Sequence, residues 1–174
     1  MALKSTIFKI DLAVADIDRG YYRDHTLTIA RHPSETDERM MVRVLAFGRG
    51  LSAEDEPDLS QRDLTGAILR WIDVGLPDER DLRRACGRAR EVEVLAYGGR
   101  AVDLWWQGVR DRLARQERLT VRELPLDASR ALAALADRNM RLQVTIQEGH
   151  VLVANGAASV PVDLRVLKVS STAG

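Results

Sequence analysis

Cysteine is nearly missing from this chain: Cys86 is the single thiol in 174 residues. That excludes an internal disulfide framework and a cysteine zinc cluster. Lysine is almost as scarce, standing only at Lys4, Lys9 and Lys168, so the other members of a set of 26 basic residues are arginines. With 26 acidic residues against those 26, the formal net charge is zero. A whole-molecule basic field of the kind that drives non-specific nucleic-acid binding is therefore absent, and any nucleic-acid contact would be a local arginine patch. No apolar run approaches the roughly 20 residues that span a bilayer. The start Met1-Ala2-Leu3-Lys4-Ser5 lacks a signal-peptide hydrophobic region, so a cytoplasmic protein without membrane segments is expected. His25, His32 and His150 lie far apart without ligand spacing. Gly48-Arg49-Gly50 has neither the length nor the following lysine of a phosphate loop. Internal repeats and low-complexity segments are also missing.

What is present is enough chain for one sizeable core, or one core with a small annex. Residues 3–14 alternate, with Thr6, Phe8, Ile10, Leu12 and Val14 on one face, the period-two pattern of a half-buried strand. A turn at 16–20 and a second extended run over 21–31 complete a predicted hairpin. Ser34 and Asp37 read as a capping box for a helix to about Phe47, whose stripe Met41, Val44, Leu45 and Gly48 carries the acid Glu38 on its core side. From 67 to 124 the pattern runs strand, helix, strand, helix, strand, which implies right-handed crossovers and a partly parallel sheet. A small helix from Asp127 follows, then strands over 140–147, 150–154 and 160–169. Neither the N-terminal hairpin nor this C-terminal meander can bury its apolar face alone. They are expected to pair into a second, antiparallel sheet region, a discontinuous annex of residues 1–32 and 140–170 beside an α/β core of residues 33–139.

The segment from Pro57 to Gly75 places Asp58 before, and Asp73 near the end of, the apolar run Ala67-Ile68-Leu69-Arg70-Trp71-Ile72. A carboxylate beside a buried strand needs a partner or a metal, so the pair is a candidate divalent-metal site. Asp58 also reads as a turn residue after proline, and Asp73 as a helix-entry carboxylate next to arginine. Glu38, in a first helical turn, is already explained by the helix dipole. Arg80, Arg83 and Arg84 follow Asp73; Arg80, the nearest, could hold a phosphate, or the group could be a solvated helix face pairing with Asp78, Glu79 and Asp81. Trp71, Trp105 and Trp106 could stack bases, though two of them lie on a core stripe. Cys86 sits on a buried stripe and suits packing better than nucleophilic chemistry.

Three stretches carry a family resemblance: Ala30-Arg31-His32-Pro33-Ser34-Glu35-Thr36-Asp37-Glu38-Arg39-Met40-Met41, Ala53-Glu54-Asp55-Glu56-Pro57, and Gly75-Leu76-Pro77-Asp78-Glu79-Arg80. With Ala101-Val102-Asp103-Leu104-Trp105-Trp106-Gln107 and Leu142-Gln143-Val144-Thr145-Ile146-Gln147, they resemble the YaeQ family of bacterial proteins over essentially the whole chain. That resemblance implies a variant PD-(D/E)XK nuclease-like core, a mixed sheet flanked by helices, with an added β-rich region. Pro57-Asp58 would be the PD pair and Asp73-Val74-Gly75 the (D/E)XK tripeptide. Gly75 then stands where the superfamily has the lysine that positions or activates water beside the metal. No lysine between Ile10 and Leu167 can migrate in to replace it.

Two functions follow as expectations. One is a nuclease-like protein acting on or binding nucleic acid, with Asp58, Asp73 and Glu38 holding one Mg²⁺ or Mn²⁺, Arg80 supplying charge, and phosphodiesterase activity weak, altered or lost. The other is a non-enzymatic module that docks a protein partner, a role the resemblance links to transcription.

Overall fold

The computed structural model describes residues 4–49 and 60–171, which form ten strands and four helices. They are arranged as two mixed five-stranded sheets with helices, one in each of two compact units: Met1–Gly50 with Asp127–Asp163, and Leu51–Leu126 with Leu164–Gly174. Among the described residues no helix is long and apolar enough to cross a membrane.

The first unit carries the sheet ordered β2-β1-β7-β8-β9. β1 (Thr6–Asp16) and β2 (Tyr21–Arg31) are the expected hairpin, in register from Thr6 opposite Arg31 to Asp16 opposite Tyr21. β7 (Asn139–Gln147), β8 (His150–Ala154) and β9 (Ser159–Val162) form an antiparallel meander. The hairpin and the meander do share a sheet, but β1 joins β7 in parallel, Lys9 opposite Asn139 through Asp16 opposite Ile146. This sheet is therefore mixed and not antiparallel as expected. Alternation marks which face of a strand is buried but is blind to the direction of its neighbour.

One face of the sheet is apolar: Phe8, Ile10, Leu12 and Val14 alternate with Met140, Leu142 and Val144 on adjacent strands, all buried. Two helices belong to this unit, α1 (Asp37–Gly48) and most of α4 (Leu126–Ala134). α1 follows from its apolar spacing, and its N-cap is Thr36, which accepts the Arg39 N–H at 3.1 Å. The expected cap, Ser34, bonds instead to His32 Nδ1 at 2.6 Å. Gly48 lies over β7, since a Cβ there would stand 3.1 Å from Val144 Cγ2. At the far end of the sheet, the Asp18 carboxylate accepts the N–H groups of Glu148 and Gly149 at 2.6 and 2.8 Å, tying the β1–β2 turn to the β7–β8 turn.

The second unit carries the sheet ordered β10-β6-β5-β4-β3. β4 (Ile68–Val74), β5 (Ala89–Tyr97) and β6 (Leu119–Leu124) run parallel, as the strand-helix alternation predicts, linked by α2 (Glu79–Arg88) and α3 (Arg100–Leu113). Both edge strands are antiparallel: β3 (Ser60–Arg62) on β4 and β10 (Arg165–Lys168) on β6. Three residues are too few for periodicity to announce β3. The run over 160–169, expected as one strand of the annex, splits: 159–162 joins the first sheet as β9, and 165–168 joins the second as β10. Arg165 opposite Glu123 makes the new pairing with an ion pair.

The core of this unit is Leu82, Ala85 and Cys86 of α2 and Val102 and Leu113 of α3, packed on Val92, Val94 and Ala96 of β5, with Leu119 and Val121 of β6. Burying a side chain of the size of leucine or valine is worth about 1.5 to 3 kcal/mol. Trp71, Trp105 and Trp106 pack against this cluster.

Candidate functional site

Asp58, the first of the expected ligands, lies outside the described residues. Asp73 is the penultimate residue of β4, half-buried, at the end of the strand where the chain turns toward α2. Its register partner is Val94, a core residue, so both belong to the face of the sheet that α2 and α3 cover. Gly75 follows with φ +101°, and its N–H donates to the Leu95 carbonyl at 2.9 Å. The connection beyond is pinned twice. Trp105 Nε1 donates to the Pro77 carbonyl at 2.9 Å, and the Asp78 carboxylate caps α2 by accepting the Arg80 N–H at 2.8 Å. Arg80 itself is exposed on the first turn of α2.

The other two arginines of the expected patch are engaged: Arg83 Nη2 lies 2.7 Å from Glu79 Oε1, and Arg84 Nη1 lies 3.8 Å from Asp81 Oδ1. Glu79 also accepts from Arg112 of α3 at 3.0 Å, so one carboxylate laces the two helices together.

Glu38 belongs to the first unit. Its Oε1 accepts from Ser129 Oγ at 2.6 Å, and Ser129 is fully buried. This explains why an acid occupies the core side of α1: it bonds the hydroxyl of α4. The neighbouring residues of the same motif are engaged in like fashion. Arg43 donates to both Glu35 oxygens at 2.8 Å, and Arg31 is paired with Asp37.

Among the described residues, no group of three or more His, Cys, Asp or Glu side chains could hold a metal ion. Asp73 is the described carboxylate on β4, and a ligand set built on it would need Asp58. A lysine side chain has no place at 75, because a residue with a Cβ is strained at that φ.

Two charge clusters, each drawn from three elements, escaped the reading by residue type. Glu93, buried at the centre of β5, accepts from Arg70 of β4 at 2.6 Å through one oxygen and from Arg122 of β6 at 2.7 Å through the other. Arg165 of β10 pairs with the buried Glu123 of β6 and with Asp103 of α3. The available signal was an acid enclosed by valines, Val92-Glu93-Val94, and it became informative only with the strand order.

The remaining reactive side chains have structural roles. Cys86 is a free thiol whose pKa burial pushes up, against the field of Lys168 and Arg118. His25 bonds the Tyr21 hydroxyl at 2.9 Å and meets the Phe47 ring edge-on. His150, exposed, pairs with Asp163 at 2.9 Å, which raises its pKa, chiefly through that hydrogen bond.

On the face of the first sheet away from its apolar side, Ala13 and Ala15 of β1 form a low floor between the longer side chains of β2 and β7. Two adjoining open depressions of about 460 Å³ each lie there. Asp24 and Gln143 line both, Arg141 lines one and Tyr22, 62% exposed, lines the other.

Residues 1–164 match the model of a protein family described as YaeQ protein. The chain is 44% identical to "Uncharacterized protein YaeQ" of Salmonella typhi and 42% identical to the protein of that name in Escherichia coli (strain K12), covering 94% of this chain and 96% of each. Its fold is similar to the crystal structure of the YaeQ protein from Xanthomonas axonopodis pv. citri, with a TM-score of 0.85 and 46% identity over 94% of this chain and 98% of that one. The YaeQ protein from Pseudomonas syringae superposes with a TM-score of 0.86 at 36% identity, covering 96% and 98%.

Proposed function

The chain belongs to the YaeQ protein family, and from that premise we propose a nucleic-acid-binding or nucleic-acid-processing protein with a PD-(D/E)XK-like core and weakened, altered or lost phosphodiester hydrolysis. In this reading Asp73, with Asp58, binds one Mg²⁺ or Mn²⁺. The ion would supply charge for a phosphate and a water. The observation that carries the reading is the position of Asp73 at the carboxyl end of the first of three parallel strands. Open α/β sheets bind their ligands outside the carboxyl ends of such strands, and hard divalent ions take carboxylate oxygens.

Gly75 supports the weakened-chemistry half of the proposal. A glycine with φ +101° offers neither charge nor proton beside the metal. Arg80, in the first turn of α2, can hold a phosphate but stays protonated at neutral pH and cannot act as a base.

The test is a titration of Mn²⁺ and Mg²⁺ against thermal stability, since a ligand of the folded state raises its melting temperature. A rise in wild type that Asp73→Asn abolishes supports the site. No rise, or an equal rise in the variant, removes the metal from the proposal. Cleavage assays on DNA and RNA substrates, with Asp58→Ala as the control, then separate a working nuclease from a binding protein.

The second reading is a non-enzymatic module that docks a protein partner. The open depressions between β2 and β7, with Tyr22 exposed beside them, favour it, because exposed aromatic and arginine side chains are over-represented where proteins dock. Metal-independent stability together with no cleavage of any substrate would favour this reading over the first.

A further inference from the structure

α2 and α3 end side by side at the edge of the second unit where its parallel strands begin. Arg83 Nη2 reaches the Arg112 carbonyl at 3.4 Å, and Arg118 Nη1 reaches the Cys86 and Ala89 carbonyls at 3.4 and 3.2 Å. β10 runs antiparallel to β6, and the pairing of Lys168 with Val121 brings a lysine to the same edge. Arg84, Arg88, Arg112, Arg115, Arg118 and Lys168 are thus gathered from two helices, a turn and an edge strand.

The carboxylates of these elements are fewer than the cations: Glu79 is shared between Arg83 and Arg112, Asp81 stands 3.8 Å from Arg84, Asp111 stands 3.7 Å from Arg110, and Glu117 neighbours Arg118 in sequence. Arg88 and Arg115 are exposed and have no ion-pair partner among the described residues. Helix dipoles favour a cation in each last turn, which accounts for Arg88. Arg118 donates to carbonyls at the end of α2 and has the same explanation, whereas Arg115 lies beyond the end of α3 and falls outside it.

We propose that this edge is a contact surface for the phosphodiester backbone of a nucleic acid, with Arg88 and Arg115 each meeting one phosphate. Arginine suits phosphate oxygens through its planar fork of donors. Contacts of this kind position a nucleic acid without reading its bases, and a chain of zero net charge needs such a local patch to bind at all. The inference deepens the nucleic-acid reading above and is independent of its metal, because the edge lies at the opposite end of β4 from Asp73.

The experiment is fluorescence anisotropy of a labelled duplex of about 20 base pairs, in EDTA, from about 50 to 200 mM salt. Wild type is compared with the double variant Arg88→Gln, Arg115→Gln and with Arg138→Gln, an exposed arginine of the first unit outside the depressions of its sheet. Two lost phosphate contacts are expected to flatten the slope of log K against log salt by about 1.8 and to weaken low-salt binding about tenfold, with Arg138→Gln unchanged. Unaltered melting temperatures separate lost binding from lost folding. The proposal is overturned if wild type does not bind at low salt, or if Arg138→Gln weakens binding as much as the double variant. A metal site can fail its own titration without touching this result, and the reverse.

Discussion

Gly75 donates its backbone N–H to the Leu95 carbonyl at 2.9 Å from a backbone held at φ +101°. The hydrogen bond continues the parallel β4–β5 ladder one residue past the strand and sets the direction in which the chain leaves for α2. Glycine alone adopts that conformation without strain, so Gly75 is there for its backbone.

Replacing it tests that statement. Gly75→Lys is expected to lower stability by about 1 to 3 kcal/mol, the usual range for a side chain forced into a glycine conformation. It is also expected to confer no metal-dependent cleavage. Denaturant titration and a nuclease assay on the purified variant check both. A stable variant that gains cleavage would overturn it.

Glu93 should be the most sensitive carboxylate of the second unit. Its two oxygens hold Arg70 and Arg122 on the strands either side. Glu93→Ala leaves two partly buried guanidinium groups without their partner, a loss of about 3 kcal/mol on the scale of broken buried ion pairs. Glu93→Gln keeps an acceptor and should lose less. Equal midpoints for wild type and Glu93→Ala in urea would show the cluster to be incidental.

Ser129→Ala and Glu38→Gln separate a structural from a ligand role for Glu38. The buried hydroxyl donates to a carboxylate, and such charge-assisted bonds are worth about 1.5 to 3 kcal/mol. Ser129→Ala should therefore destabilise by about that amount. If Glu38 is a hydrogen-bond acceptor alone, Glu38→Gln shifts stability without changing any Mn²⁺-induced rise in melting temperature. Loss of that rise in Glu38→Gln would place the residue at the metal.

A small pH dependence is expected at the open edge of the first sheet. The hydrogen bond to Asp163 raises the pKa of His150 above its ordinary value of 6.5. A group raised on folding binds its proton more tightly in the folded state. Its contribution is therefore complete below the unfolded pKa and disappears as pH rises through the folded one. The stability difference between wild type and Asp163→Asn should be larger near pH 5.5 than near pH 8.5, values on either side of an ordinary histidine, and should shrink at high salt because the pair is exposed. A difference that grows with pH would reverse the assignment.

The legibility of the chain followed the range of the interactions involved. The hairpin over 6–31, the β4-α2-β5-α3-β6 alternation and the buried stripe of α2 through Cys86 came from periodicity, which is local and survives in a bare sequence. Alternation over 160–169 was equally clear but could not say that its two halves pair with different sheets, since β9 pairs with residues 5 to 11 positions away and β10 with residues 42 to 47 positions away.

The candidate site divided in the same way. Residue types marked Asp73 as an acid that needs a partner and Glu38 as an acid on the core side of its helix. Only the packed chain supplied the Ser129 hydroxyl for Glu38 and the arginine brackets for Glu93, because each partner comes from an element distant in sequence.

Periodicity and turn residues determined the local elements, since each depends on residues within a few positions of one another. The tertiary structure decided the parallel junction of β1 with β7, the transfer of β10 to the second sheet and the glycine conformation at 75. Those depend on which strand lies alongside which, and hydrophobic alternation is identical for either neighbour.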